Sequence, residues 1–180
     1  MIDYGEFQFA CPPRTGSLWF IEACKLTGLG YGTIEEAHEL FPSNRNGCSI
    51  RVSLVRHPCD WLASCFSTIS AGNGKGYLAQ FYALDRASFD SFVRSYLLTF
   101  PGFIGKLFSM YKSDTCMRLE DMPWAFMEFV ETFGVSYNNA RLCKNLRKQN
   151  VSGSIIKWNK LLREKVMNSE SDFCDRYEYF

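Results

Sequence analysis

Cys11-Pro12-Pro13-Arg14-Thr15-Gly16-Ser17-Leu18-Trp19-Phe20 is the stretch from which the fold of this 180-residue chain can be read. Ahead of it, Phe7-Gln8-Phe9-Ala10 alternates like a short buried strand, predicted over residues 5–12. Behind it, residues 17–28 read as a helix. Its apolar positions are Leu18, Phe20, Ile21, Ala23, Cys24 and Leu26, and Gly28-Leu29-Gly30 stops it. A strand, a tight loop with one glycine and two hydroxyls, then a helix is one way for a chain to build an anion site. The first amides of a helix have no internal partner, and the helix dipole places roughly half a positive charge beside them. Gly16 lets the backbone approach a ligand, Thr15 and Ser17 supply hydroxyls, and Arg14 supplies a permanent planar charge. The plainer reading is an ordinary strand-to-helix turn with Ser17 as its cap. No G-x-x-x-x-G-K-[ST] occurs in the chain, so the loop is not a Walker A motif.

Working outward, Tyr31-Gly32-Thr33-Ile34 suggests a short strand, and Ser49 to Val55 is the clearest strand in the protein. The latter runs into Arg56, and Pro58 opens a helix to about Ile69. Ser88 caps a helix carrying Phe89, Phe92, Val93 and Tyr96, and a second helix follows Pro101. Thr115 to Leu119 is a third strand, Asp121-Met122-Pro123 opens a helix that Gly134 closes, and the chain is helical again from about Ser154. Strands alternating with helices predict an α/β fold: a small parallel sheet flanked by helices, in one domain over residues 1–180.

Composition narrows the partners. Twenty basic against 19 acidic side chains leave a net charge of +1, which gives no global attraction to nucleic acid or to a membrane surface. No apolar run reaches the length of a membrane span, and the N-terminus lacks a basic stretch followed by an apolar one. The 8 cysteines lie mostly in apolar periodic segments, with no C-x-x-C pair, and neither His38 nor His57 has metal-like spacing to a cysteine pair. Free thiols in a reducing, cytoplasmic setting, and no metal, are the expectation; a secreted disulfide framework is the alternative.

Pro13, Arg14, Thr15, Gly16, Ser17 and Trp19 resemble the 5′-phosphosulfate loop of the sulfotransferases, with Leu18 in place of a second hydroxyl. Arg56-x-Pro58-x-Asp60, with Ser64 on the next helix, resembles the 3′-phosphate motif of the same family. Arg118-Leu119-Glu120-Asp121-Met122 is similar to its Tyr-Glu-Asp segment, with Leu119 where the tyrosine stands. Read without the family, Glu120 and Asp121 are an acidic helix start. Arg147-Lys148-Gln149-Asn150-Val151-Ser152-Gly153, with Trp158 beyond, resembles the C-terminal loop, although Gln149 replaces a glycine; a solvated basic turn is the other reading.

The resemblance implies a P-loop-like three-layer architecture and 3′-phosphoadenosine 5′-phosphosulfate as donor, with 3′,5′-adenosine bisphosphate as product. It implies cofactor binding by Arg14, Thr15, Gly16, Ser17, Leu18, Trp19, Arg56, Ser64, Arg147 and Lys148. Trp19 would lie along the adenine, and Arg14 would also act on the leaving phosphate. The base falls in the segment after the first helix, where Glu36 is favoured over Glu35 and His38. The acceptor, a hydroxyl or amine on a small molecule, glycan or protein, is not encoded in these motifs. The interval between Arg14 and Arg56 is short for such an enzyme. Two further readings therefore stand: a small P-loop nucleotide or metabolite kinase, and a nucleotide-binding relative without catalysis.

Overall fold

The computed structural model describes residues 1–43, 49–137, 142–143 and 156–179. The chain divides into two compact units, Met1–Arg56 with Phe108–Val151, and His57–Leu107 with Ser152–Phe180. It is an α/β protein with a small, mostly parallel sheet and flanking helices.

The first unit holds the sheet. Its strands are β1 (Ile2–Asp3), β2 (Phe7–Phe9), β3 (Ile50–Val55) and β4 (Thr115–Arg118), in spatial order β1-β2-β3-β4. β2, β3 and β4 run parallel, with Phe9 opposite Val52 and Val55 opposite Arg118. β1 adds an antiparallel edge, with Ile2 opposite Phe9. Parallel neighbours need crossover connections, and helices supply them here. β3 is buried from Arg51 to Val55, as expected of a central parallel strand. The helices of this unit are α1 (Ser17–Leu26), α2 (Ile34–Ala37) and, after β4, α6 (Trp124–Glu131). An aromatic core joins sheet to helices: Phe9 stacks on Phe20 at 4.0 Å, and Phe7 meets Phe129 edge-on at 5.0 Å.

The second unit is helical. It contains α3 (Pro58–Ser70), a 3₁₀ segment over Gly76–Ala83, α4 (Phe89–Thr99), and, near the C-terminus, α7 (Lys160–Ser169) and α8 (Ser171–Arg176). α5 (Phe103–Ser109) leads back toward β4. Phe81 is fully enclosed, with Trp61, Phe92, Tyr96, Phe100 and Phe103 around it. Glu170, only 2 % exposed, accepts hydrogen bonds from the Tyr96 hydroxyl (2.8 Å) and the amides of Ile104 (3.3 Å) and Gly105 (2.9 Å). It thereby satisfies two free amides at the start of α5.

Several sequence expectations are corrected. The strand expected over residues 5–12 is shorter, because Tyr4 to Phe7 close the turn from β1 and the Cys11 amide donates to Ala37 O rather than to β3. Tyr31 to Ile34 forms no strand; Thr33 instead caps α2, and a capping box outweighs a short β-like run. In α1 Phe20, Ile21, Ala23 and Cys24 are buried as expected, but Leu18 is 47 % exposed and Trp19, at 2 %, takes a place in the core. The last long helix starts at Lys160 rather than near Ser154, because the Asn159 side chain accepts from the Leu161 and Leu162 amides and fixes the N-terminus there. α6 starts at Trp124, after a 3₁₀ turn over Leu119–Asp121. The seven described cysteines are free, and Cys48 lies outside the described residues. Among the described residues no helix is long and apolar enough to cross a membrane, and no cluster of His, Cys, Asp and Glu is arranged to hold a metal ion.

Candidate functional site

The loop between β2 and α1 is fixed at both ends. The Ala10 amide donates to Val52 O (3.1 Å), which continues the pairing with β3, and the Cys11 amide donates to Ala37 O (2.8 Å), which draws α2 alongside. Thr15 is fully buried, and its hydroxyl turns back to the Pro12 carbonyl. Two residues of the loop are left-handed, Arg14 at φ 70° and Gly16 at φ 97°. Gly16 suits that region, whereas an arginine there is uncommon and costs roughly 1–2 kcal/mol. Such outliers concentrate where the backbone is shaped for a ligand. A Cβ on Gly16 would also lie 2.5 Å from Leu119 Cδ1, so the turn after β4 closes against the loop.

α1 follows at once with no side-chain cap. Its N-cap is Gly16, not Ser17 as the plainer reading expected; Ser17 is its first residue. Ser17 Oγ lies 3.1 Å from His38 Nε2. The ring of Trp19 is enclosed, meeting Phe126 edge-on at 5.6 Å, so it offers no open face to an adenine. The role that the resemblance gave Trp19 is therefore replaced by core packing. Leu18 points outward beside Ser17.

Arg56 comes directly after β3, next to β2 in the sheet, and its Nη1 donates to Arg14 O at 3.0 Å. The Arg56 side chain is thus tied to the loop backbone at the carboxyl ends of adjacent parallel strands, where α/β sheets bind ligands. Arg118, which ends β4, is matched by Asp121 through two contacts of 2.6 and 3.0 Å. Glu120 and Asp121, read as an acidic helix start, lie in the 3₁₀ turn Leu119–Asp121 and not in the first turn of α6. Ser64 is buried on α3, within the second unit. Arg147 and Lys148 lie outside the described residues.

The three base candidates separate clearly. Glu36 belongs to the capping box of α2: its carboxylate accepts from the Thr33 amide (2.8 Å), and the Thr33 hydroxyl accepts from its own amide (3.2 Å). Those bonds hold its carboxyl below the usual range. Glu35 is exposed on the first turn of α2. His38 closes α2, with its backbone carbonyl held by the Tyr111 hydroxyl at 3.0 Å. Burial lowers the His38 pKa, against the opposing charge of Glu35, so the ring is neutral at pH 7. His38 alone of the three touches the loop, at Ser17.

His57 has a structural place. It caps α3, with Nδ1 accepting from the Cys59 amide (3.2 Å), and its ring packs on Tyr179 at 5.2 Å. Sequence reading missed Tyr111 as the anchor of His38, because its apolar spacing marked it only as a core residue. The capping box was visible in Thr33-Ile34-Glu35-Glu36, a T-x-x-E signature that excludes Glu36 as an unencumbered base. The chain matches no protein-family model, no curated protein and no solved structure.

Proposed function

We propose that the loop from Pro12 to Trp19, with Arg56, binds a nucleotide phosphosulfate, and that the protein is a sulfotransferase of P-loop-like type using 3′-phosphoadenosine 5′-phosphosulfate. The observation that carries the reading is the hydrogen bond from the Arg56 guanidinium to the Arg14 backbone carbonyl (3.0 Å), which ties the end of β3 to the loop that leads into α1. The residues suit a polyanion: the left-handed loop turns its backbone toward the helix start, and planar guanidinium groups bind phosphate oxygens in pairs.

In this reading the α1 amides and Arg14 hold the 5′ end of the donor, and Arg56 holds its 3′-phosphate. The donor supplies a sulfuryl group already activated by a phosphate leaving group. Arg14 and the helix start stabilise the charge that gathers on that phosphate. His38 Nε2 takes the proton of an acceptor hydroxyl; it is neutral, held by Tyr111, and beside the loop. This moves the base from Glu36, whose carboxylate is occupied by Thr33. A radiolabelled-donor transfer screen across hydroxyl and amine acceptors tests the reading. Once an acceptor is found, His38→Gln should retain donor affinity and lose roughly a hundredfold or more in turnover. Unchanged turnover in that variant would remove His38 from the mechanism, and transfer from ATP with magnesium in place of the phosphosulfate would replace the reading with a kinase.

A further inference from the structure

The Ser17–His38 contact does more than line an anion loop. The N-cap of α1 is Gly16, which has no side chain to cap the helix, and Ser17 is the first helical residue. The Ser17 hydroxyl lies against an imidazole nitrogen at 3.1 Å. That imidazole belongs to a residue held through its backbone by Tyr111 and through α2 by the capping box. A hydroxyl beside a held, neutral imidazole is the arrangement that makes serine a nucleophile. The α1 start adds the second requirement. Its first amides lack helical partners, and the Leu18 amide directly follows the hydroxyl-bearing residue, which suits an oxyanion. Ser17 itself is 6 % exposed, with half-exposed Gly16 before it and exposed Leu18 after it, and Leu18 gives an apolar surface next to the hydroxyl.

We propose that Ser17 and His38 form a nucleophile–base pair that cleaves carboxylic esters of small apolar acyl groups through an acyl-Ser17 intermediate. With Nδ1 carrying the ring proton, Nε2 accepts the hydroxyl proton of Ser17 while Oγ bonds to the ester carbon, and the carbonyl electron pair moves to the oxygen facing the α1 amides. The oxyanion then re-forms the carbonyl, the bond to the alcohol oxygen breaks, and that oxygen takes the proton from Nε2. Water enters next: it gives a proton to Nε2 and bonds to the acyl carbon. The bond to Oγ breaks, and Oγ recovers the proton. The sum is ester plus water to acid plus alcohol. This chemistry draws on the same α1 amides and the same His38 Nε2 as the nucleotide reading, so a nucleotide bound at the loop blocks it.

The test uses the full chain with a fluorophosphonate probe, read by intact mass and peptide mapping, and with p-nitrophenyl acetate turnover. One adduct per chain on Ser17 is expected, absent in Ser17→Ala. In His38→Gln the labelling rate should fall roughly a hundredfold. In the wild type it should fall as acid protonates His38. Ser17→Cys, labelled by iodoacetamide faster than its His38→Gln double variant, gives a second reading of the same contact if Ser17→Ala folds poorly. A wild-type chain unlabelled at Ser17, or labelled at a rate that His38→Gln leaves unchanged, overturns the proposal. Calorimetry with 3′,5′-adenosine bisphosphate on the same protein reads the nucleotide site separately, so failure of one proposal is distinguishable from failure of the other.

Discussion

At the scale of residues, position rather than residue type decides what the candidate groups can do. Glu36 and His38 are two residues apart, yet one carboxylate is spent on a helix start while the other side chain reaches the loop. Burial lowers the His38 pKa from its ordinary 6.5, so between that value and the lowered one the unfolded chain takes up a proton that the folded chain refuses. Stability contributed by His38 is therefore complete above pH 6.5 and declines as pH falls toward the lowered value. Thermal melts from pH 7.5 to 5 should show a steeper acid decline for the wild type than for His38→Gln; parallel curves would mean that the ring is not buried. Arg56 makes a separate prediction. Arg56→Ala should weaken 3′,5′-adenosine bisphosphate by about 2 kcal/mol while leaving adenosine 5′-phosphate nearly unaffected, as a lost charge-assisted bond to one phosphate requires. Equal losses on both ligands, measured by titration calorimetry, would deny Arg56 the 3′ end.

At the scale of elements, β3, α1, α3 and α4 were legible because their signals are strong and local. β3 is an unbroken β-branched and apolar run, Pro58 opens α3, and Ser88 caps α4 by accepting from the Ser91 amide. The two-residue edge strand β1 was not legible, since nothing in Ile2-Asp3 distinguishes a pairing segment from a terminus. In α1 the expected face held at Phe20, Ile21, Ala23 and Cys24, and its first turn differed, where Trp19 packs on Phe126 and Leu18 faces outward. α2 gives the test of this scale. Thr33→Ala removes the capping hydroxyl and should cost about 1 kcal/mol in chemical denaturation. Glu36→Gln keeps a capping-box side chain and should stay close to wild type in both stability and turnover. A Glu36→Gln chain that is stable but inactive would return the base to Glu36.

At the scale of the whole molecule, the sequence conveyed the α/β class and a small parallel sheet, but not that the two motif strands are neighbours in it. It did not convey that the chain forms two compact units, because the segment between β3 and β4 carries no linker composition at either end. Nor did it signal Glu170, whose partners Tyr96, Ile104 and Gly105 are distant in sequence and meet it only through folding. Glu170→Ala leaves one buried hydroxyl and two amides without an acceptor and should destabilise the protein by about 2–4 kcal/mol, with Glu170→Gln milder. A near-neutral melt for the alanine variant would contradict that network. The central claim, that the loop and Arg56 bind a bisphosphorylated nucleotide, is tested most directly by titration calorimetry of 3′,5′-adenosine bisphosphate into the wild-type chain in EDTA. The account predicts one-to-one binding without metal, lost in Arg14→Ala; no binding, or binding of ATP with magnesium in preference to the bisphosphate, would contradict it.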